Sequence, residues 1–287
     1  MNVAVVGVGN MGAPMAACIA RAGHSVTVFD TSHERAQQVA AAHGCRAAAR
    51  LQELSAADFI VTMLPTGQVV NDLYLRDGLA GELRRGTIAV DMTSSDPTGT
   101  RKLGAALAER GIVLIDAPVS GAVPRATQGT LAIMIGGDDR EAIERARPIL
   151  RTMGDRLFDT GGLGTGHAMK ALNNFVAAAG FAACAEALIA GERFGLDPTR
   201  MVEILNVSTG RNFHTDMVLR EQVIGGKFAT GFTLGLLAKD VKIAADLTRE
   251  LQFDAPLVRL VSARLDQARD ALGYGADNTE AIKAWKN

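Results

Sequence analysis

Short apolar runs alternate with helical repeats through the first half of the chain. The runs are rich in β-branched residues and predict strands at 3–6, 25–29, 59–63, 87–91, 113–116 and 131–135. Between them, apolar residues recur at helical spacing over 13–22, 33–42, 68–73, 98–110 and 140–150. Regular alternation of this kind predicts an α/β fold built on a doubly wound, mostly parallel sheet.

A glycine-dense segment at 161–166 ends the alternation. Beyond it strand-like runs disappear, and helical periodicity covers 167–193, 198–207, 213–224, 233–250, 255–271 and 277–285. Asp197 followed by Pro198 is a helix-start signal, because the carboxylate can cap the helix and proline suits the first helical position. We therefore expect an α/β domain over 1–162, a long interdomain helix over 163–193 and an all-α domain over 194–287.

The composition narrows the class of protein. Of the 287 residues, 48% are hydrophobic and 21% charged, which is typical of a soluble globular chain. The net charge is −1, so no overall field attracts nucleic acid or an anionic membrane. The apolar stretch 175–191 carries Glu186 and is short for a membrane span, so we expect a core helix there.

The cysteines and the start of the chain predict the compartment. Cys18, Cys45 and Cys184 lie far apart and lack the spacing of metal ligands, so we expect reduced thiols and no metal site. Because the first predicted strand begins almost at once, we expect no signal peptide. Together these features predict a cytoplasmic protein.

The turn after the first predicted strand has the pattern Gly-x-Gly-x-x-Gly. Gly7 permits the tight turn, Gly9 lets the backbone approach a pyrophosphate, and Gly12 lets helix and strand pack closely. The following helix N-terminus offers free N–H groups to phosphate oxygens. Asp30 ends the second strand, at the distance expected for a carboxylate that binds the adenosine ribose. The pattern predicts a Rossmann dinucleotide-binding domain.

The carboxylate of Asp30 also predicts which dinucleotide binds. It repels a 2′-phosphate and accepts a hydrogen bond from a 2′-hydroxyl, which favours NAD over NADP. Thr31 and Ser32 follow and bring no positive charge to the position. Arg35, one turn into the next helix, is the side chain that could approach a phosphate there. We predict NAD, with NADP less favoured.

Polar residues that could carry chemistry begin the long predicted helix. Lys170 and Asn174 are four residues apart and therefore share a helix face. A lysine that follows a hinge between domains can be partly desolvated, and it can then move a proton to or from a substrate oxygen. Asn174 could hold the same substrate. The same spacing also fits a lysine and an asparagine on an exposed polar face.

Two further segments could bind an anionic substrate. Ser120 and Gly121 follow the strand at 113–116, where a hydroxyl and an N–H group could hold a carboxylate. An ordinary turn in which Ser120 bonds its own backbone fits equally well. Arg211, between two predicted helices, could clamp a carboxylate or sulfonate, or could lie in a solvated loop.

Four motifs stand out along the chain: GVGNMGAPMA at 7–16, DAPVSG at 116–121, GTGHAMKALNN at 164–174 and Lys239-Asp240. Taken together, they resemble those of the β-hydroxyacid dehydrogenase family, of the 3-hydroxyisobutyrate dehydrogenase type. The resemblance extends along the whole chain. One departure is Ala122, where the family usually repeats glycine, and an added methyl there could narrow the carboxylate pocket or shift its loop.

The resemblance implies roles for individual residues. Lys170 would be the catalytic acid/base with Asn174 beside it on the substrate, and Ser120 and Gly121 would bind the carboxylate end. The cofactor site would also be lined by Asn10, Met11, Leu64, Pro65, Thr93 and Lys239.

The implied activity is NAD-dependent hydride transfer to or from a small β-hydroxy acid or its semialdehyde. The alternatives are another short acidic aldehyde (tartronate semialdehyde, glyoxylate, succinic semialdehyde or sulfolactaldehyde) and a non-catalytic NAD-binding module. The family generally associates through its long helix, so we expect a homodimer or homotetramer, with a small carboxylate-bearing substrate as the other partner.

Overall fold

The computed structural model describes residues 1–286. The chain divides into two compact units, Met1–Lys170 and a second that begins at Ala171. The division falls inside the long helix, so one continuous element contributes residues to both units. The predicted three-part division of the chain stays a prediction.

The first unit is built on a mostly parallel sheet, as predicted. Within residues 1–286 its strands are β1 Asn2–Val6, β2 Ser25–Phe29, β3 Arg46–Ala47, β4 Phe59–Thr62, β5 Ile88–Asp91, β6 Val113–Asp116, β7 Val119–Ser120, β8 Leu131–Gly136 and β9 Gly154–Gly161. Their order is β3-β2-β1-β4-β5-β6-β8-β7, with β9 beside β8. Strands β1 to β6 pair in parallel, whereas β8 runs antiparallel to β6 and β7.

Helices cover both faces of this sheet. They are α1 Gly12–Arg21, α2 His33–His43, α3 Gly67–Asn71, α4 Leu79–Glu82, α5 Pro97–Ala108, α6 Ala122–Gln128 and α7 Arg140–Met153. Side chains alternate across a strand, so Val3 and Val5 join one apolar cluster while Ala4 and Val6 join the other. This two-sided burial explains why the central strands are continuous apolar runs.

Three strands of this sheet were not predicted. β3 and β7 are two residues long and give too little sequence for a pattern. β9 is longer but lies outside β8, and its residues after Gly154 are half-buried or exposed. A strand exposed in this way needs no apolar run. Its sequence therefore lacks the pattern by which the other strands were predicted.

The second unit is helical. Its α-helices are the continuation of α8 Thr165–Phe194, then α9 Pro198–Asn206, α10 Phe213–Met217, α11 Leu234–Glu250, α12 Pro256–Leu272 and α13 Ala281–Trp285, with a π-helical turn at Leu219–Ile224 and a 3-10 turn at Asn278–Glu280. The predicted helix start is present, since the Asp197 side chain accepts from the N–H of Arg200 and Pro198 is the first residue of α9. The core of this unit includes Phe181, Leu188 and Trp285.

Helix α8 is long and apolar enough to cross a membrane by length and composition alone. Its 30 residues would extend about 45 Å at the usual helical rise. In the second unit, however, Phe181, Ala185 and Leu188 are buried within the apolar core. Helix α8 is therefore a core helix, as the sequence predicted.

Candidate active site

The glycine turn between β1 and α1 has the geometry that a dinucleotide requires. Gly7 has φ +88°, and a Cβ there would clash with the backbone oxygen of Met63. A Cβ at Gly12 would clash with the backbone oxygen of Gly7. A Cβ at Gly9, by contrast, would meet nothing within 4 Å. Two glycines are thus required by packing, and the third faces open space where a pyrophosphate can approach the backbone.

Asp30 follows β2 and is held beside this turn. Its Oδ2 accepts from the N–H of Val8 at 3.0 Å, and its Oδ1 accepts from the N–H of Ser32 at 2.9 Å. The guanidinium of Arg35 lies 3.3 Å from Oδ1, so this arginine does reach the position. Asp30 is buried, yet its two oxygens keep acceptor capacity beyond these bonds. The residues present therefore fit a bound ribose.

The loops after β4 and β5 meet at the same edge of the sheet. The N–H of Leu64 donates to Oγ1 of Thr93 at 3.0 Å, which ties the two loops together. The N–H of Thr93 in turn donates to Asp91 at the end of β5. A Cβ at Gly7 would also lie 2.8 Å from Leu64. Leu64 and Thr93 thus lie beside the glycine turn, as their predicted cofactor roles require.

The other predicted cofactor residues of the first unit follow the same edge. Asn10 and Met11 lie in the turn itself, and Met11 immediately precedes α1. Pro65 continues the loop after Leu64 and is exposed. Their roles stay predictions, although their places in the chain agree with them.

The start of α8 is fastened to the end of β6. Oδ1 of Asp116 accepts from the N–H of Gly164 at 2.7 Å, and Oδ2 accepts from the N–H of His167 at 2.8 Å. Asp116 is fully buried, so its negative charge stabilises the N–H groups at the start of the helix and is not available to solvent. Lys170 is half-buried and follows one turn later. The first unit therefore carries this lysine on a helix turn anchored at the strand ends where ligands of such sheets bind.

Sequence reasoning assigned no role to Asp116 or His167. Asp116 stood out as a strand end, and His167 lies one turn before Lys170, but neither signal reveals a hydrogen bond. The two bonds to Asp116 join residues 48 and 51 positions apart, which no local pattern reports.

Ser120 and Gly121 form the end of β7 and the turn into α6. Ser120 pairs with Ala132 of β8 and is half-buried. Gly121 has φ +139°, and a Cβ there would lie 2.7 Å from the side chain of Arg125. Ala122 has φ +55°, a left-handed conformation that costs about 1 kcal/mol for a residue with a Cβ. The position that departs from the family motif is therefore one where glycine is favoured physically.

A second cluster of predicted residues lies in the second unit. The Nδ2 group of Asn174 donates to Oδ2 of Asp240 at 2.6 Å, and both residues are buried. Nζ of Lys239 lies 3.1 Å from the other oxygen of Asp240, and Asn173 donates to Oδ1 of Asn174 at 3.2 Å. Asp240, to which no role was assigned, thus links Asn174 with Lys239.

The hydrogen bonds of Arg211 are with Asp216 and not with the residues of this cluster. Its Nε donates to both oxygens of Asp216, at 2.9 and 3.2 Å, and its side chain is exposed. A substrate anion would have to compete with this carboxylate, so its substrate role stays a prediction. Among residues 1–286, no group of three His, Cys, Asp or Glu side chains could hold a metal ion.

Two family models match the chain in succession. Residues 2–162 match the NAD binding domain of 6-phosphogluconate dehydrogenase. Residues 164–285 match the model described as the NAD-binding of NADP-dependent 3-hydroxyisobutyrate dehydrogenase. The two matches meet within the glycine-dense segment that precedes α8.

Known dehydrogenases align along nearly all of the chain. The 2-(hydroxymethyl)glutarate dehydrogenase of Eubacterium barkeri is 33% identical over 100% of this chain and 95% of that protein. The 3-hydroxyisobutyrate dehydrogenase of Pseudomonas aeruginosa is 36% identical and covers 96% of each protein. A solved structure of Mycobacterium tuberculosis 3-hydroxyisobutyrate dehydrogenase with L-serine has a TM-score of 0.91 at 32% identity, covering 100% of this chain and 99% of that chain.

Proposed function

This chain belongs to the β-hydroxyacid dehydrogenase family, and from that premise we propose that Lys170 is the general acid/base of its reaction. The chain is an NAD(P)-dependent oxidoreductase that acts on the hydroxyl group of a small hydroxy acid, so the predicted enzyme class is confirmed. The observation that carries the proposal is the anchoring of the first turn of α8 by Asp116, at the same sheet edge as the glycine turn.

The residues of the first unit would hold the dinucleotide. The turn of Gly7, Gly9 and Gly12 would receive the pyrophosphate, and Asp30 would accept from the ribose hydroxyls. When bound, the nicotinamide supplies or accepts the hydride. We propose NAD as the preferred cofactor because Asp30 repels a 2′-phosphate. Tighter binding of NADPH than of NADH, measured by fluorescence titration, would reverse this assignment.

Lys170 would move the proton of the reaction. In the oxidative direction, its neutral Nζ takes the proton of the substrate hydroxyl while the hydride leaves the same carbon and C–O becomes C=O. In the reductive direction, the ammonium returns that proton to the carbonyl oxygen. Ser120 and Gly121 would hold the substrate carboxylate, and Asn174 would orient the reacting oxygen.

We propose a small β-hydroxy acid as the substrate, of the size of 3-hydroxyisobutyrate or serine. The support is the full-length similarity to 3-hydroxyisobutyrate dehydrogenases, one of them solved with L-serine. An activity panel should contain 3-hydroxyisobutyrate and L-serine with NAD and, with NADH, the semialdehydes of these two compounds, tartronate semialdehyde, glyoxylate, succinic semialdehyde and sulfolactaldehyde. In the reductive direction, a higher kcat/KM for one of the last four than for both semialdehydes of the proposed substrates would replace the proposed substrate but leave the role of Lys170 intact.

Replacement of Lys170 tests the mechanism. Lys170→Ala should lower kcat by at least about 10²-fold, the usual contribution of a general acid/base, while NADH affinity changes less than about threefold. Lys170→Arg is the matched control, because it keeps a long cation that cannot give up its proton. Near-normal turnover of either variant would remove Lys170 from the mechanism.

We also propose that the protein is a cytoplasmic homodimer or homotetramer. In the second unit Val176, Phe194 and Val207 are 67%, 88% and 86% exposed, and large apolar side chains of this exposure are often covered in an assembly. The three cysteines are free thiols, which suits a reducing compartment. A monomeric mass by light scattering at micromolar concentration would contradict the assembly.

A further inference from the structure

A buried histidine lies between the anchored turn of α8 and two strand ends. The His167 side chain is fully buried, with Nε2 3.7 Å from Oδ2 of Asp91 and Nδ1 3.9 Å from Oδ2 of Asp116. Its Nδ1 is 2.8 Å from Oγ1 of Thr100 on α5. The proposed reaction uses none of these groups directly.

The ring is held by a hydrogen bond to α5. It joins Nδ1 of His167 to Oγ1 of Thr100, and Oγ1 of Thr100 also lies 2.9 Å from the backbone oxygen of Asp96. In the described part of the chain, Nε2 has no hydrogen-bond partner. The contact with Thr100 is therefore the one hydrogen bond that orients the imidazole.

Helix α5 holds the same segment at a second point. Nε of Arg101 donates to the backbone oxygen of Leu163 at 2.9 Å, just before α8 begins. The start of α8 is thus attached to β6 through Asp116 and to α5 through Thr100 and Arg101. Attachments to two different elements restrain the turn against rotation as well as displacement.

We propose that His167 is a positioning residue for Lys170, acting through the hydrogen bond between its Nδ1 and Thr100; the inference rests on the proposed role of Lys170. The two residues are three positions apart and share a helix face about 4.5 Å apart along the axis. Because both residues belong to the same rigid stretch of helix, rotation of the first turn would also displace Lys170. A displacement of about 1 Å at a reacting group can cost about 10²-fold in rate.

Two isosteric replacements test the bond without removing volume. Thr100→Val deletes the hydrogen-bond partner of His167 and should lower kcat about tenfold, with NADH affinity and substrate KM within about threefold of the wild type. Thr87→Val is the matched control. Thr87 is also a buried threonine of the first unit whose hydroxyl donates to a backbone oxygen, that of Ala57, but it precedes β5 at the opposite end of the sheet. Its kcat should stay within about twofold of the wild type.

The histidine itself gives a second measurement. His167→Leu should lower kcat by about 10 to 10²-fold, and His167→Asn should recover most of the loss because its amide nitrogen takes the place of Nδ1 and can still form the hydrogen bond with Thr100. In a Lys170→Ala background, His167→Leu should lower the residual rate by less than about threefold, since residues that act as a unit are not additive.

The outcomes separate this inference from the proposed function. Equal kcat for Thr100→Val and Thr87→Val would overturn the positioning role, as would an undiminished effect of His167→Leu in the Lys170→Ala background. The threonine pair decides the matter even when the Lys170→Ala rate is too low to measure. Near-normal turnover of Lys170→Ala would instead overturn the proposed role of Lys170.

Discussion

The ends of β2 and β6 carry two carboxylates with similar partners and different surroundings. Asp30 and Asp116 each accept from two backbone N–H groups of a loop or helix start. Asp30 also pairs with a half-exposed arginine and is 9% exposed, whereas Asp116 is 0% exposed. The carboxylate of Asp30 can therefore still contact a ligand, whereas that of Asp116 is inaccessible to one.

The difference shows how one sheet edge provides both recognition and support. A carboxylate at a strand end with free acceptor capacity can select a ligand, as Asp30 is proposed to select the ribose. A sealed carboxylate can only hold the chain, but it holds it rigidly because an unsatisfied buried charge would be costly. We therefore expect Asp116 to affect catalysis only through the helix turn that it holds.

The largest expected effect separates the two carboxylates by stability. Asp116→Asn would place an amide N–H₂ against a backbone N–H and remove a buried charge, and it should lower the free energy of unfolding by about 3 kcal/mol. Asp30→Asn should lower it by about 1 kcal/mol, since its arginine partner is solvated. Urea denaturation of both variants measures this, and equal losses would abolish the distinction.

A smaller effect separates them by ligand. Asp30→Ser removes the repulsion of a 2′-phosphate and leaves Arg35 beside the site, so the ratio of NADH to NADPH affinity should fall about tenfold, or about 1.4 kcal/mol. Thr100→Val should leave that ratio unchanged, because it alters only the buried contact with His167 and not the surroundings of Asp30. An unchanged ratio in Asp30→Ser would show that this carboxylate does not choose the cofactor.

A third position at the edge of the sheet, Ala122 after β7, differs from the two carboxylates because its energetic cost is backbone strain and not buried charge. Ala122→Gly should raise the free energy of unfolding by about 0.5–1 kcal/mol, because glycine adopts φ +55° without the cost that the Cβ imposes. Ala108→Gly, at the last residue of α5, is a control that should be destabilising. If Ala122→Gly also destabilises the protein, the methyl group makes contacts that outweigh its conformational cost.

The smallest expected effect comes from a buried histidine outside the sheet. Burial lowers the pKa of His214 below its ordinary value, and its Nε2 donates to the backbone oxygen of Ala177. The folded pKa is lower than the unfolded value of 6.5, so below pH 6.5 the unfolded chain binds this proton more readily than the folded protein does. The contribution of neutral His214 to the free energy of unfolding is therefore complete above pH 6.5 and is lost as the pH falls from 6.5 toward the folded pKa. His214→Gln keeps a donor without titrating, so its unfolding free energy should depend less on pH between 7.5 and 5.5.

The parts of the fold predicted from sequence are those that local physics determines. The glycine turn at 7–12 requires glycine by packing, and the central strands are apolar because both faces are buried. The first turn of α8 was predicted as helix, but its anchors were not, since Asp116 and Thr100 are far from it in the chain. Asp240 was missed for the same reason, because its bond to Asn174 spans 66 positions.

The carboxylate of Asp116 also bears on the order of folding. It joins β6 to residues about fifty positions later, and β8 and β9 lie in the chain between them. A contact that closes so long a loop is costly to form early, so we expect it to follow the pairing of those strands. In a refolding experiment, recovery of turnover should then lag behind recovery of the sheet's circular dichroism.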